Sequence, residues 1–315
     1  MAATDDYVFA RDYAEGLRLE TQHLLWNIHN GYTINPKIPI TPQTKIADVG
    51  TGTGVWLLDV ATQVPPTVQL DGFDISDGQF PHKSNIPDNV NFRIMDALSN
   101  VPGDLVEKYD VVHIRYLGPI VKRGNVEPII QHAMQLLKVG GYLQWEEADL
   151  TRNKLCIKGP EAEAFYAFAS LGYDTLDFTF SWVEDLPIRL NQAGFEVLKF
   201  RNDQLPQAMA PLVTRTFVLT HIAGIDAFYK SGHESLPPRH EADALLAALI
   251  GAVKKGAAIY PTQVSLLARK AARSRRPAWP LASKVHFACN CCFMGTLYLI
   301  ATWTISLHIQ QSECK

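Results

Sequence analysis

The chain has 315 residues, 47% of them hydrophobic, and a formal net charge of −3. This length can bury one substantial core together with a small cap, and the charge gives no electrostatic case for binding nucleic acid. Five cysteines, four of them among the last 27 residues, do not make a disulfide framework, and the Cys-x-Cys-Cys at 289–292 lacks a second pair at zinc-like spacing. We therefore expect no metal site. Since no secretory signal opens the chain, we expect a reducing, cytoplasmic location.

The first predicted element is an amphipathic helix at residues 7–30. One face of this helix carries its apolar residues, Ala14, Leu17, Leu24, Leu25 and Ile28.

A glycine-rich segment, Asp48-Val-Gly50-Thr51-Gly52-Thr-Gly54, follows an apolar run and precedes another at 55–61. This order predicts a buried strand, a tight turn and a helix, an arrangement that binds nucleotides. Glycines let the backbone approach a ligand that a Cβ would push away. A dinucleotide fingerprint would need Gly-x-Gly-x-x-Gly. Because Val55 stands at the place of the third glycine, the pattern disfavours a nicotinamide dehydrogenase.

Two carboxylates follow the next predicted strands. Asp74 ends the run 68–74, 20 residues past the glycine segment, and Asp96 follows the run 90–95. An acid at the carboxyl end of a strand can accept hydrogen bonds from both ribose hydroxyls of an adenosine. We therefore predict that Asp74 binds a ribose and that Ile75 packs on the adenine. Taken alone, Asp96 is more typical of a helix N-cap.

Further strands are predicted at 109–115, 142–145, 194–200 and 257–269, the last two forming an antiparallel pair. Alternating strands and helices favour a mainly parallel sheet whose ligands bind at the carboxyl ends of the strands. We predict an α/β, Rossmann-like sheet of seven strands. Residues 160–180, rich in Phe and Tyr, and the mostly helical 205–255 are predicted to be cap insertions that cover a substrate.

The segment from Asp48 to Gly54 resembles motif I of class I S-adenosylmethionine (SAM) methyltransferases. Four motifs together resemble the fungal secondary-metabolism branch of that family, which includes Lae-type regulators and umta-type pathway enzymes: Glu15-x-x-Arg18-Leu19-x-x-Gln22-His23, Thr51–Trp56, His113-Ile-Arg115 and Gly141–Glu147. The resemblance covers about residues 7–271. It implies a helical lid over the cofactor cleft at 1–40 and a methyltransferase domain at 41–271. In this family an acid at the place of Asp96 commonly accepts from the adenine amino group. The resemblance thus implies SAM as cofactor, bound by Asp48, Gly50, Thr51, Gly52, Gly54, Asp74, Ile75, Asp96 and Ala97.

Four side chains near the carboxyl ends of the fourth and fifth strands, or on the lid, are candidates for catalysis: Glu146, Arg115, His113 and His23. We predict Glu146 as a general base. Adjacent Glu147 should point to the other face of the strand. Arg115 can hold the carboxylate of the cofactor or pair with an acid of the fold, and His113 on a central strand is more typical of a satisfied core histidine.

Beyond residue 271 the composition changes. Five cations lie within 269–276, and 285–312 contains no Asp, Glu, Lys or Arg. A basic flank before the apolar segment 285–309 resembles a membrane anchor. Residues 272–315 are alternatively a non-native, unstructured extension or a packed element.

The predicted function is transfer of a methyl group from SAM to oxygen or nitrogen of a small-molecule secondary metabolite. The alternative is a nuclear, Lae-type regulator that binds SAM and acts through protein partners.

Overall fold

The computed structural model describes residues 11–150, 156–159, 163, 179–231 and 236–272. The chain divides into two compact units, Met1–Ala272 and Arg273–Lys315. The second unit, with the predicted anchor at 285–309, lies outside the described residues, as does most of the aromatic segment at 160–180.

A seven-stranded sheet forms the centre of the first unit. Its elements, in chain order, are α1 (Tyr13–Asn30), β1 (Lys45–Val49), α2 (Val55–Gln63), β2 (Gln69–Asp74), β3 (Val90–Ile94), β4 (Tyr109–Arg115), α3 (Glu127–Leu136), β5 (Leu137–Asp149), β6 (Cys156–Lys158), α4 (Trp182–Ala193), β7 (Phe195–Gln204), α5 (Ala210–Ser231), α6 (Arg239–Lys254), β8 (Ala258–Tyr260) and β9 (Thr262–Lys270).

The strand order is β3-β2-β1-β4-β5-β9-β7. Strands β1 to β5 pair in parallel, and β9 runs antiparallel to both neighbours. The predicted α/β fold is therefore confirmed, with its final antiparallel pair. Because all five parallel strands end at one edge, the residues that follow β1 to β5 lie close together.

The predicted seventh strand at 257–269 is wrong in its first part. Only β9 joins the main sheet, whereas Ala258–Tyr260 pairs with Cys156–Lys158 in a separate two-stranded sheet. Pro261 stands between the two strands. Proline cannot donate a ladder hydrogen bond, so it is a natural place for the chain to leave one sheet and enter another.

Helix α1 begins at the N-cap Asp12, which accepts from the backbone N–H of Glu15 at 2.9 Å, and ends at Gly31 with φ of 75°. Its predicted apolar face is not the buried one, since Leu17, Leu24 and Ile28 are exposed. The residues that α1 buries are Glu15, Arg18, His23, Leu25, Trp26 and Asn30. The helix covers the polar carboxyl edge of the sheet rather than an apolar face, which explains why polar side chains point inward.

The helical region predicted at 205–255 consists of α5 and α6. Among the described residues, one stretch, Gln207–Asp226, is long and apolar enough to cross a membrane. This criterion considers length and composition alone, which core helices of globular proteins also satisfy. Here α5 packs against α1, α6 and β8.

Candidate functional site

The glycine loop lies between β1 and α2. Gly50, Gly52 and Gly54 have φ of 72°, 54° and 73°, which is the left-handed region that favours glycine. The backbone N–H groups of Gly50 and Thr51 donate to the Phe73 carbonyl at 2.8 and 2.9 Å and so tie the loop to the end of β2. A Cβ on Gly54 would lie 2.4 Å from the Phe92 ring. The loop is therefore shaped both by its turn and by close packing against β3.

The three predicted acids, Asp48, Asp74 and Asp96, lie at the carboxyl ends of β1, β2 and β3. Asp74 accepts from the Gly52 N–H at 2.9 Å, and burial raises the pKa of its carboxyl, against the hydrogen bonds from Gly52 and Ser76. Asp96 accepts from the Leu98 N–H at 2.8 Å and closes a turn rather than a helix. Asp48 points toward the interior and accepts from the Thr51 hydroxyl at 2.7 Å.

These groups fit an adenosine-containing cofactor. Asp74, held beside the loop, is an acceptor for ribose hydroxyls, and Asp96 lies one strand further along the same edge. A Cβ on Gly52 would lie 3.2 Å from the Leu19 side chain of α1, so the helix covers the loop closely. The site is thus formed by the glycine backbone, the strand-end acids and the lid.

A buried network of charged side chains joins β1, β4, β5 and the lid. Nδ1 of His113 lies 2.7 Å from Asp48 and its Nε2 lies 3.4 Å from Glu146. Arg115 donates from Nε to Glu146 at 2.6 Å, and its Nη1 lies 2.9 Å from Nδ1 of His23. His23 in turn contacts Asp59 of α2 at 2.9 Å. The network runs from the glycine loop to the lid without a break.

The geometry of Glu146 does not favour its predicted role as a general base, because its carboxylate already has four hydrogen-bond partners. Besides Arg115 and His113, it accepts from Asn30 and Gln144 at 2.8 and 2.9 Å, and the residue is completely buried. Although burial acts in the opposite direction, the Arg115 charge and the His113 hydrogen bond lower the pKa of Glu146 to about 2. Such a carboxylate is too weak a base to take a proton near neutral pH.

The other three catalytic candidates belong to the same network. His113 is buried, stacks on Trp56 with ring centroids 3.8 Å apart and has both nitrogens against carboxylates, so it is a satisfied core histidine. Arg115 pairs with an acid of the fold, the second of its two predicted roles. Burial and the nearby Arg115 charge lower the pKa of His23, and both of its nitrogens have partners.

Glu147 points to the opposite face of β5, as predicted. Its carboxyl accepts from the backbone N–H groups of Gly118 and Ala148 at 3.0 and 3.1 Å, and within the described part of the chain no cation is among its partners. Burial raises the pKa of Glu147 to about 8, against those hydrogen bonds. Two adjacent glutamates on one strand thus differ in charge at neutral pH, because among the residues that the structure describes Arg115 pairs with Glu146 and no cation pairs with Glu147.

Two further features at this edge of the sheet, the backbone of Tyr116 and the ion pair of Glu15 with Arg18, are not predicted as parts of the site from the sequence. Tyr116, directly after β4, has φ of 58°, which is a strained conformation for a bulky residue. Residues with such strained backbones are concentrated at functional sites. Burial raises the pKa of its hydroxyl. The Glu147 charge raises this pKa further, and the Arg18 charge lowers it. Glu15 and Arg18, which belong to the N-terminal motif, form a buried ion pair on the lid. No sequence signal marks the backbone of Tyr116, whereas two charges three residues apart on a helix do predict a pair.

Comparison with known proteins shows a similarity to methyltransferases. Residues 46–141 match the family model described as a methyltransferase domain. The methyltransferase grgD of Penicillium sp is 39% identical over 145 residues, which are 43% of this chain and 50% of the relative. The N-methyltransferases verN of Clonostachys rogersoniana and tcpN of Claviceps purpurea (strain 20.1) are each 31% identical, over 52% and 49% of this chain and 56% and 55% of their own lengths.

The chain spans about half the length of the relatives it matches. The matched region includes the glycine loop, the acids after β2 and β3, and all of β4. Residues 46–141 are therefore similar to a methyltransferase domain, and the chain is similar to fungal methyltransferases over about half of its length, as its motifs predicted.

Proposed function

We propose that this protein is an enzyme that transfers a methyl group from SAM to a nitrogen or oxygen atom of a small molecule. Nitrogen is the favoured acceptor, since verN and tcpN are named N-methyltransferases. No observation favours the alternative of a regulator that acts through protein partners.

The observation that carries the proposal is the closed lid. Helix α1 lies across the glycine loop: a Cβ on Gly52 would meet Leu19 at 3.2 Å, and one on Gly16 would meet Thr53 at 3.6 Å. At its other end, Asn30 donates to Glu146 of β5. A covered edge of this kind suits a compact acceptor that can be enclosed, because enclosed clefts bury most of the surface of a small ligand.

The cofactor supplies an activated methyl group, so the protein chiefly needs to bring an acceptor atom into line with it. Orientation of this kind can contribute about 7–11 kcal/mol to lowering a barrier. The buried network holds the ends of β4 and β5 and the lid in one arrangement. Since Glu146 is already paired and burial keeps Glu147 and Tyr116 protonated near neutral pH, an acceptor amine must reach the site uncharged or release its proton to water.

The test is metabolite profiling of a strain that lacks the gene, together with assays of the purified protein with SAM and the unmethylated compound found. The proposal expects loss of one methylated compound and its formation in vitro. The regulator would be favoured over the enzyme if the strain lost many unrelated metabolites and if the purified protein methylated proteins but no small molecule.

A further inference from the structure

The inner face of the lid helix α1 carries two buried histidines, whose partners differ in charge. His23 lies between Arg115 of β4 and Asp59 of α2: its Nδ1 is 2.9 Å from Nη1 of Arg115, and its Nε2 is 2.9 Å from the Asp59 carboxylate. His29, further along the helix, faces Asp203 of β7 at 3.3 Å. The side chains of the two histidines are 9% and 3% exposed. His29 therefore contacts an acid, whereas His23 contacts an acid and a guanidinium.

The partners of His23 determine where its imidazole ring carries a proton. A guanidinium has only N–H donors and is not deprotonated in proteins, so Nδ1 of His23 must accept the hydrogen bond from Arg115. The single ring proton of the neutral imidazole therefore lies on Nε2, which donates it to the Asp59 carboxylate. Asn27, one turn later in α1, also donates to Asp59, at 2.6 Å, and its amide nitrogen lies 3.1 Å from Nε2 of His23. Only this neutral form of His23 connects β4 to α2 through the lid.

A second proton on the His23 ring is incompatible with these contacts. It would have to bind at Nδ1, where it would point at the guanidinium of Arg115 and bring two cations into contact at 2.9 Å. Arg115 is held in place by Glu146, to which its Nε donates at 2.6 Å. Burial and the Arg115 charge lower the pKa of His23. The hydrogen bond to Asp59 opposes this shift, and the charge of His113, also on β4, adds to it. The closed arrangement therefore favours the neutral ring.

Protonation of His23 is therefore linked to the position of the lid. In an open lid the ring would face water, where a histidine has its ordinary pKa of about 6.5. Because the pKa in the closed lid is lower, the closed form binds fewer protons. Closure is thus favoured most above pH 6.5 and progressively less as the pH falls below that value. The contact of α1 with β5, from Asn30 to Glu146, keeps its charge in this range, since the pKa of Glu146 is about 2.

We propose that His23 is an acid-sensitive latch of the lid. In its neutral form it joins Arg115 of β4 to Asp59 of α2 across α1, and its protonation by solvent releases the helix from this edge of the sheet. Gly16 and Leu19 of the same helix lie close to the glycine loop, so the release uncovers the cofactor cleft. The latch itself depends on the contacts of His23, whereas its effect on the cofactor rests on the proposed function.

The first measurement reads the ring of His23 directly and needs no cofactor. In protein labelled with ¹⁵N in histidine, the chemical shifts of both ring nitrogens distinguish the two neutral tautomers from the imidazolium. The signal that is missing from the spectrum of His23→Gln identifies His23. We expect the tautomer with its proton on Nε2 at pH 7.5. A proton on Nδ1 at this pH, in either the other tautomer or the imidazolium, would overturn the proposal.

The second measurement is calorimetric titration with S-adenosylhomocysteine at pH 7.5 and pH 5.0. We expect the affinity of wild type to be about tenfold lower at pH 5.0, because the lid must then close against protonation of His23. His23→Gln keeps an acceptor for Arg115 and a donor for Asp59 but takes up no proton, so its affinity should change by less than about twofold. Titration of Asp74, whose pKa burial raises, contributes equally to both proteins.

The matched control is His29→Gln on the same helix. Burial lowers the pKa of His29, but the charge of its partner Asp203 raises it, so this variant should retain most of the wild-type decrease in affinity. The assignment to His23 would be overturned if both variants lost the pH dependence equally, or if His23→Gln weakened on acidification as much as wild type. If wild type bound no S-adenosylhomocysteine at pH 7.5, the proposed function would fail, and the nitrogen spectrum would still decide whether His23 is the latch.

Discussion

Replacement of Glu146 by Gln tests whether this residue holds the fold together or takes a proton. The carboxylate is completely buried and accepts from Asn30, Gln144, Arg115 and His113. An amide at this position removes the charge that balances Arg115 and turns one acceptor into a donor that faces other donors. Breaking a buried pair by removing one partner costs about 3–5 kcal/mol.

Proton linkage gives a consistent magnitude. The pKa of Glu146 is lowered from 4.5 to about 2, which corresponds to about 3 kcal/mol of stability at neutral pH. Because the folded-state pKa is the lower one, this contribution is present above pH 4.5 and is lost as the pH falls toward 2. We therefore expect the Gln variant to lose about 3 kcal/mol in the free energy of unfolding at pH 6.

The adjacent Glu147 provides a matched control. It lies on the same strand and is equally buried, but its pKa of about 8 keeps it neutral at pH 6. Glu147→Gln exchanges one neutral group for another in the folded state, and it removes the linkage cost of about 2 kcal/mol that an ionised Glu147 in the unfolded state imposes at pH 6. This gain outweighs the loss of about 1 kcal/mol for one imperfect hydrogen bond, so the variant should not lose stability. The assay is urea unfolding of both variants at pH 6, with the slope checked against wild type. If Glu146→Gln unfolds at the wild-type urea concentration yet loses turnover, the structural role is refuted.

Four further predictions concern the cofactor, the pH dependence and the C-terminal segment. Asp74→Ala should weaken binding of S-adenosylhomocysteine by about 2–3 kcal/mol in calorimetry, and an unchanged affinity in a folded variant would contradict its assignment to the ribose. Gly52→Val should abolish binding with a near wild-type circular dichroism spectrum, because φ of 54° and the nearby Leu19 leave no room for a branched side chain; normal binding would place the loop differently. The stability that Glu147 provides is complete below pH 4.5 and is lost as the pH rises through about 8. In urea unfolding the wild type should therefore become less stable over that pH range, and Glu147→Gln should not show this loss. If the free energies of unfolding of both proteins change with pH in parallel, the loss does not come from Glu147. Truncation after Ala271 should leave a soluble protein with unchanged cofactor affinity. Aggregation of the truncated protein would show that residues 272–315 are part of the fold. Partitioning into detergent by the full chain, but not by the truncated protein, would favour a membrane anchor.

The adjacent residues Glu146 and Glu147 show which properties a local sequence pattern does not predict. Sequence reasoning placed Glu146 and Glu147 on opposite faces of a strand, which follows from the two-residue period of side chains. It could not tell their charge states, because these depend on whether a guanidinium from another strand lies nearby. The same applies to α1, where the apolar residues Leu17, Leu24 and Ile28 suggested the buried face but are exposed. The helix packs on a polar edge that is built by β4 and β5, which come much later in the chain.

The sequence by itself determined the sheet, the glycine loop and the acids at the ends of β1 to β3. Each depends on a few consecutive residues: an apolar run makes a strand, glycines permit positive φ, and an acid after a strand lies at the carboxyl edge. Only the tertiary structure decided which charges pair, where the chain leaves the main sheet near Pro261, and that Tyr116 adopts a left-handed backbone. These features arise from contacts such as that between Asn30 and Glu146, 116 residues apart. The energy of such contacts depends on burial and on partners that no local window contains.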